Sequence, residues 1–292
     1  MDQAQQLRNI IKKNNIKQKS TARVITVTSG KGGVGKSNVA INLGIQLRKM
    51  GNNVIILDAD FGLANIEVMF GTIPKYNLRD TVEGKRSLRE IITEGPLGVK
   101  FISGGTGVEG LANLSKVQLG NLLRGVAELD EIADIIIIDT GAGISDSVLE
   151  FVASGSEVLL VTTPEPTSLT DSYSLLKALN NYEGFSKENT EIRIIANKVS
   201  SMVEGRNLFT KLNIVTERFL GMTLEFLGAV PLDEQMIKAV MQQTPISMSY
   251  PSSKATKAFE KLASELTGVP EVIKKKSLAE VFSNYFHRKS DK

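Results

Sequence analysis

The chain has 292 residues, 41% of them hydrophobic, which is enough for one large α/β domain or two smaller ones. It contains no cysteine, which excludes disulfides, cysteine-ligated zinc and iron–sulfur clusters. No apolar run is long enough to span a bilayer, and the first residues lack the apolar core of a signal peptide. These features predict a cytoplasmic protein.

The net charge of +3 is the sum of an acidic middle and two basic ends. Residues 1–23 carry six basic groups against one acidic group, and residues 274–292 carry six against two. The segment between them keeps 23 basic and 29 acidic residues, a formal charge of −6. This pattern predicts that the ends meet an anionic or acidic partner, and it does not favour a DNA-binding surface on the body.

The first predicted element is a short amphipathic helix from Asp2 to about Asn14. Asp2 suits a helix N-cap, and apolar residues recur at helical spacing from Ala4 to Ile11. Polar residues follow up to Thr21 and indicate a flexible tether. A helix this short is not stable alone, so it folds against a partner or against its own domain, unless the segment is a disordered leader.

A glycine-rich stretch from Ser29 to Ser37 separates a predicted strand from a predicted helix that runs from Asn38 to Met50. Such a turn aims backbone N–H groups and the helix N-terminus at one point, which suits an anion. The spacing fits a phosphate-binding loop, with Lys36 for the β/γ-phosphates and Ser37 for Mg²⁺. The predicted nucleotide-binding residues of this loop are Gly30, Lys31, Gly32, Gly33, Val34, Gly35, Lys36, Ser37 and Asn38.

Apolar strands alternate with helices, which predicts a mostly parallel, twisted β-sheet with helices on both faces. Two strands end in carboxylates: residues 53–57 lead into Asp58 and Asp60, and a run of four isoleucines leads into Asp139. Ligand groups of parallel sheets gather at the C-terminal ends of the strands. Asp139 fits the Walker B pattern, in which an aspartate holds Mg²⁺ or its bound water. The predicted Mg²⁺ ligands are Ser37, Asp58 and Asp139.

The rest of the chain continues the alternation of strands and helices. The remaining predicted elements are two helical pieces within 76–95, a strand at 99–102, a helix at 114–132, strands at 158–162, 192–196 and 224–230, and helices near 168, 233–243 and 253–266. Gly268 and Pro270 mark a boundary. We therefore expect an arm at 1–22, a nucleotide-binding domain at 23–268, and a linker with a terminal helix at 269–292.

A second lysine, Lys31, follows the first glycine of the loop, although a phosphate loop needs only one lysine. The run from Lys31 to Ser37 resembles the deviant Walker A signature of the MinD/ParA family of ATPases. The resemblance implies ATP and Mg²⁺ as cofactors and a homodimer in which this lysine reaches the partner's phosphates. It also implies catalytic roles for Lys31, Lys36 and Asp60, with Asp60 positioning the attacking water. Lack of cysteine separates the chain from the iron–sulfur members of the superfamily.

The same resemblance assigns the switches and the base-binding residues. It implies that residues 61–65 form switch I and residues 140–143 form switch II, although the family often has proline where this chain has Gly141. Family members contact adenine through an asparagine and a proline-led loop after the last two strands. These positions are Asn197 and Pro231 here, although both residue types are also common after strands for local reasons.

The N-terminal arm carries a further motif. Residues 2–8, Asp-Gln-Ala-Gln-Gln-Leu-Arg, resemble the Asp-Gln-Ala-x-x-Leu-Arg motif of the flagellar FlhG branch of the family, whose members are also called YlxH or FleN. In that branch the motif stimulates FlhF, a signal-recognition-type GTPase, and division-site MinD proteins normally lack such an arm. The resemblance implies an FlhF-like GTPase and flagellar C-ring proteins as partners. The implied partner-binding residues are Asp2, Gln3, Ala4, Leu7 and Arg8.

The C-terminal segment after three consecutive lysines predicts an amphipathic helix. Its apolar side chains recur at i, i+3, i+4, i+7 and i+8, and basic residues lie at both ends, which together favour an interfacial membrane helix on anionic lipid. Members of the family that this chain resembles often have a C-terminal membrane-targeting helix, which also favours this interpretation. The alternative is a final helix packed on the core. The predicted membrane residues are Leu278, Val281, Phe282, Tyr285 and Phe286.

Together these features predict a slow ATPase switch that dimerises with ATP, docks on the inner face of the cell membrane, and helps to set flagellar number or placement. Slow turnover is expected because no strong general base is obvious, and phosphoryl transfer depends mainly on positioning and charge neutralisation. Three alternatives remain: a division-site MinD, a ParA-type partition ATPase that binds DNA nonspecifically, and an interaction module that mainly activates a partner GTPase. No specific nucleic acid is expected as a partner.

Overall fold

The computed structural model describes residues 22–60, 65–105 and 128–268, together with Leu278 and Val281. Among the residues described, none of the helices combines the length and apolar character that a membrane crossing requires. The strands are β1 (Arg23–Ser29), β2 (Val54–Ala59), β3 (Thr93–Glu94), β4 (Lys100–Ile102), β5 (Ile135–Ala142), β6 (Glu157–Thr162), β7 (Glu191–Val199) and β8 (Glu225–Pro231). The helices are α1 (Lys36–Lys49), α2 (Asn65–Phe70), α3 (Leu78–Val82), α4 (Asp146–Ser154), α5 (Pro166–Asn180), α6 (Met202–Leu220), α7 (Glu234–Met241), α8 (Ile246–Ser249) and α9 (Lys254–Gly268).

All eight strands join one sheet in the order β3-β4-β2-β5-β1-β6-β7-β8. Neighbouring strands are parallel except β3, which pairs antiparallel with β4. The crossover from β1 leads toward β2, whereas the crossovers from β6 and β7 lead the other way. Such a change of direction opens a crevice above the C-terminal ends of the central strands, which here are β1 and β5.

Helices cover both faces of the sheet because the central strands are apolar on both sides. On one face, Ile25 and Val27 of β1 belong to a buried cluster with side chains of α1 and α9. On the other face, Val158 and Leu160 of β6 belong to a cluster with side chains of α4, α5 and α6. Burial on both faces explains why the sequences of these strands are continuous hydrophobic runs. The same packing fixes the positions of the strands whose C-terminal ends form the crevice.

All the predicted strands are confirmed, and the structure adds the short strand β3. The structure differs from the predicted helices in several places. Within 76–95 only α3 is helical, so the second predicted helical piece is wrong. Gly84 (φ 74°) follows α3, residues 88–91 form a turn, and Thr93 and Glu94 pair antiparallel with β4. Most of the predicted helix at 114–132 lies outside the described residues, and residues 130–132 form a turn. The elements that the sequence patterns did not predict are β3, α2, α4, α6 and α8.

Candidate nucleotide-binding site

The loop between β1 and α1 has the backbone of an anion cradle. Gly35 is the N-cap of α1 and has a left-handed φ of 91°. A Cβ atom at Gly35 would lie 2.5 Å from Nδ2 of Asn197, and one at Gly30 would collide with the backbone carbonyl of Asp171 in α5. Only glycine fits these two positions, so the chain passes tightly between β7 and α5 before the helix N-terminus. That helix end presents free N–H groups to an anion, as the phosphate-loop prediction requires.

Lys36 and Asp139 form a buried ion pair at the foot of this loop. Nζ of Lys36 donates to Oδ1 of Asp139 at 2.7 Å, and Asp139 is completely buried. The second oxygen, Oδ2, is buried without a hydrogen-bond partner among the residues described. A buried carboxylate oxygen without a donor is unfavourable, and a cation with its own water shell would satisfy it. Asp139 therefore fits the predicted role of holding Mg²⁺ or its bound water.

Asp58 lies beside Asp139, because the two aspartates are register partners in the pairing of β2 with β5. Burial, and then the negative charge of Asp139, raise the pKa of Asp58 well above its ordinary value. The backbone N–H of Asp60 donates to Oδ1 of Asp58 at 3.1 Å and opposes this shift. With the hydroxyl of Ser37 in the first turn of α1, these groups provide the oxygen donors that Mg²⁺ prefers.

The last residue of the predicted switch II bonds to the first residue of the glycine-rich stretch. The backbone N–H of Gly143 donates to the carbonyl oxygen of Ser29 at 2.9 Å, and β5 continues as far as Ala142. The carboxylate of Asp60 lies near Gly141, since a Cβ atom at Gly141 would be 3.8 Å from Oδ1 of Asp60. Asp60 therefore lies beside the predicted switch II. Residues 61–64 of the predicted switch I lie outside the described residues.

The second lysine of the loop contacts its own chain. Nζ of Lys31 donates to Oγ1 of Thr167 at 2.8 Å and to Oε2 of Glu165 at 3.1 Å. Glu165 is the N-cap residue of α5 and Thr167 lies in the first turn of that helix. Neither Glu165 nor Thr167 lies in a motif that predicts a role at the site. Lys31 is about one-third exposed, so solvent reaches this ion pair and it is weak enough to exchange.

The predicted base-binding residues come together at the ends of β7 and β8. Val199 and Pro231 are register partners, and the backbone N–H of Leu232 donates to the carbonyl oxygen of Val199 at 2.9 Å. Nδ2 of Asn197 donates to the carbonyl oxygen of Val34 in the phosphate loop at 2.7 Å. Its neighbour Lys198, which the sequence analysis overlooked, also contacts that loop. The sheet thus brings Asn197 and Pro231 to the same end of the crevice.

Two of the five predicted membrane residues, Leu278 and Val281, are described, and both pack inside the protein. Leu278 and Val281 are both helical and completely buried. They belong to a buried cluster that includes Ala22, which precedes β1, Val24 of β1, and Phe151 of α4. In this structure these two side chains therefore face the protein core. Phe282, Tyr285 and Phe286, the other predicted membrane residues, lie outside the described residues, and so do residues 1–21 of the N-terminal arm.

The chain matches the family model described as "ParA: NUBPL iron-transfer P-loop NTPase" over residues 20–267. It belongs to the ParA family. It is 44% identical to "Antiactivator FleN" of Pseudomonas aeruginosa over 85% of this chain and 87% of that protein. It is 32% identical to "Flagellum site-determining protein YlxH" of Helicobacter pylori over 94% of each chain. The predicted resemblance to the MinD/ParA family is confirmed.

Solved structures support the same fold. The septum site-determining protein MinD of Pyrococcus horikoshii, described in complex with Mg-ADP, has a TM-score of 0.68 and is 26% identical. The match covers 85% of this chain and 96% of that chain. The predicted MinD-like sheet with helices on both faces is therefore confirmed. The fold class and the phosphate loop identify a P-loop NTPase, and the roles of individual residues remain predictions.

Proposed function

We propose that this protein is an ATP-hydrolysing switch that regulates the number or placement of flagella. The similarity to FleN and YlxH over most of the chain carries the proposal. The motif at residues 2–8, which resembles that of the flagellar branch, supports it independently. Family members also include division-site proteins such as MinD of Thermotoga maritima, 34% identical over 84% of this chain, so the arm is the feature that favours the flagellar assignment.

The buried charges of the site support Mg²⁺-dependent ATP hydrolysis. Lys36 now bonds to Asp139 at 2.7 Å, and on nucleotide binding it transfers to the β/γ-phosphates and frees the carboxylate. Asp139, Asp58 and Ser37 would then hold Mg²⁺, which supplies charge neutralisation on the phosphates when bound. Asp60, which lies near Gly141, orients the attacking water. Positioning without a strong base makes turnover slow, as a timing switch requires.

Base recognition uses the C-terminal ends of β7 and β8. Nδ2 of Asn197 is engaged by the carbonyl of Val34, which leaves its carbonyl oxygen Oδ1 to accept a hydrogen bond from the amino group of adenine. Pro231, the register partner of Val199, provides an apolar surface at the same end of the crevice. Because both residues are attached to the sheet, the base is held in a fixed relation to the phosphate loop.

Dimerisation would require Lys31 to change partners. In the single chain Lys31 bonds to Glu165 and Thr167, and the exposed geometry makes that contact weak. A phosphate of a second protomer's nucleotide carries more negative charge than one carboxylate and accepts stronger hydrogen bonds. ATP bound across a dimer therefore draws Lys31 away from α5, and ADP lacks the γ-phosphate that completes this exchange.

The two ends of the chain would bind the partners through which the nucleotide state acts. The arm at 1–22 would stimulate an FlhF-like GTPase, and flagellar C-ring proteins are expected as further partners. The terminal helix, which follows the linker within 269–292, would bind an anionic membrane, although Leu278 and Val281 must first leave the core in which they are buried. Membrane binding is thus peripheral and tied to the nucleotide state.

The experiment that tests this function measures GTP hydrolysis by a purified FlhF-type GTPase. The full chain, and a peptide of residues 1–23, should each accelerate hydrolysis, and Gln3→Ala should weaken the effect because Gln3 is the motif's polar side chain best suited to reach a partner's site. Gln5→Ala, at a variable position of the same motif, is the matched control and should retain the effect. Absence of acceleration by either form would contradict the flagellar assignment. ATP-dependent binding to random DNA would instead favour a ParA-type partition ATPase.

A further inference from the structure

Lys198 is a surface lysine with an unusual backbone and a specific contact. It has a left-handed φ of 57°, a conformation that is unfavourable for a residue with a long side chain, and it is exposed. Its Nζ nevertheless donates to the carbonyl oxygen of Gly33 in the phosphate loop at 2.8 Å. Strained residues that persist near a binding site indicate a functional constraint. Glycine or asparagine would be the ordinary choice for such a backbone if conformation were the only requirement.

The contact fixes the orientation of a peptide bond in the loop. In a trans peptide the carbonyl and the next N–H point in opposite directions. Lys198 holds the carbonyl of Gly33, so the N–H of Val34 points away from the β7 end. Asn197 holds the carbonyl of Val34 at 2.7 Å in the same way, which turns the N–H of Gly35 away as well. Two successive N–H groups are thereby presented together, the arrangement that binds a phosphate.

Resting on the proposed ATP-binding function, we propose that Lys198 is a positioning residue for the phosphate loop, acting through the Gly33 carbonyl rather than on the nucleotide. Lys198 and Asn197 form a clamp from the end of β7 that keeps the loop amides pointed at the phosphates. Among the described side chains, it is Lys198 that donates to the Gly33 carbonyl. Removal of Lys198 frees this peptide to rotate, and phosphate affinity falls even though the lysine never touches the ligand.

The test compares ATP with tripolyphosphate, which carries the phosphates without a base, using calorimetry on the full-length protein. Lys198→Met should weaken both ligands by the same factor, about tenfold, since a charge-assisted hydrogen bond is lost. Lys198→Arg should retain most of the affinity. Lys211→Met, at an exposed lysine of α6, is the matched control and should leave both affinities unchanged.

Lys198→Gly separates positioning from a purely structural role. Glycine adopts the left-handed backbone without strain, so the melting temperature of the nucleotide-free protein should stay equal or rise while both affinities fall about tenfold. Unchanged tripolyphosphate affinity in Lys198→Met and Lys198→Gly would overturn the proposal, and a loss confined to ATP would show a contact with the base instead. Failure of the wild-type protein to bind either ligand would overturn the proposed ATPase function and this inference with it.

Discussion

Lys36, Asp58 and Asp139 place one positive and two negative charges in a region with almost no solvent. Asp58 and Asp139 are 1% and 0% exposed, and only one of them bonds to the lysine. Burial disfavours the charged form of Asp58, and repulsion by the neighbouring Asp139 adds to this effect, so the pKa of Asp58 is raised and it holds its proton more tightly than in water. An additional cation would neutralise this excess negative charge. Without the cation, the excess charge lowers the free energy of unfolding.

This imbalance predicts that Asp58→Asn stabilises the nucleotide-free protein. Because the folded pKa of Asp58 lies above its unfolded value, the folded state binds the proton more tightly, and stability is lost as the pH rises through the raised pKa. Asparagine does not ionise and escapes this loss. At neutral pH we expect a gain on the order of 1 kcal/mol, or about 2–4 °C in the melting temperature. The gap should shrink as the pH is lowered toward 4.

The same variant should lose Mg²⁺-dependent ATP hydrolysis, because an amide is a poorer ligand for Mg²⁺ than a carboxylate. Glu183→Gln, at an exposed carboxylate between α5 and β7, is the control and should change neither the melting temperature nor the hydrolysis rate. Thermal melts at several pH values measure the first effect and phosphate release the second. A stability gap that widens on acidification would show that Asp58 is ionised and favourably paired in the folded protein.

Local sequence patterns predicted the phosphate loop and the strand-end aspartates of this site, but they could not predict its long-range contacts. The glycine-rich turn, Lys36 and the strand-end aspartates are each visible within ten residues of sequence. The partners of Lys31 lie 134 and 136 positions away, and the contact from Lys198 to Gly33 spans 165. No periodicity encodes such pairs, and Lys198 after a strand resembles any solvated lysine. The orientation of the loop amides could therefore be learned only from the folded chain.

At the scale of elements, the parallel strands were predictable because two-sided burial leaves unbroken apolar runs. Several helices were not, since α2 has six residues and α8 has four, too few for a 3.6-residue period to show. The nineteen-residue α6 was missed because exposed apolar side chains, among them Ile214 and Phe219, obscure its buried stripe. The terminal segment was ambiguous for a different reason. An apolar stripe predicts a helix equally well whether its partner is lipid or protein, and the burial of Leu278 and Val281 gives the protein core as the partner in this structure.

This packing predicts that Leu278→Ala destabilises the nucleotide-free protein. Replacing a fully buried leucine with alanine costs about 2–5 kcal/mol, but here the loss cannot exceed the whole docking energy of the terminal segment. We therefore expect a decrease of roughly 2 kcal/mol in the free energy of unfolding, measured by urea denaturation. Leu232→Ala, at a leucine that is 67% exposed, is the control and should change stability by less than about 0.5 kcal/mol. Equal stability of Leu278→Ala and wild type would mean that the segment is undocked in solution.

At the scale of the whole molecule, the predicted terminal helix has two alternative binding surfaces, the protein core and the membrane. Leu278 and Val281 are buried in the protein core, and the same stripe is the predicted membrane contact. Fully buried side chains of this size contribute roughly 1.5–3 kcal/mol each, and an interfacial helix recovers only part of that. Moving a single terminal helix from protein to lipid therefore exchanges the complete burial of Leu278 and Val281 for partial burial. Membrane binding by one chain should be weak and reversible.

An ATP dimer changes this balance by presenting two terminal helices. The second inserts at high effective concentration, so avidity rises ~10²-fold or more, and each lysine adds about 1 kcal/mol on anionic lipid. We therefore expect the protein to co-sediment with anionic liposomes in the presence of ATP, and much less with ADP or after removal of residues 277–292. Lys36→Gln should abolish both dimerisation and lipid binding, because it removes the lysine on which phosphate binding depends.

Phe282→Glu separates the membrane contact from the dimer. A charge within the apolar stripe should release the protein from liposomes while ATP-dependent dimerisation, measured by light scattering, stays intact. Phe282→Leu keeps the stripe apolar and should retain lipid binding, which controls for loss of the aromatic ring alone. Equal lipid binding in ATP and ADP, or binding that survives the truncation, would contradict the coupling. In that event the burial of Leu278 and Val281 would describe a permanent part of the core, and the nucleotide would control only the dimer.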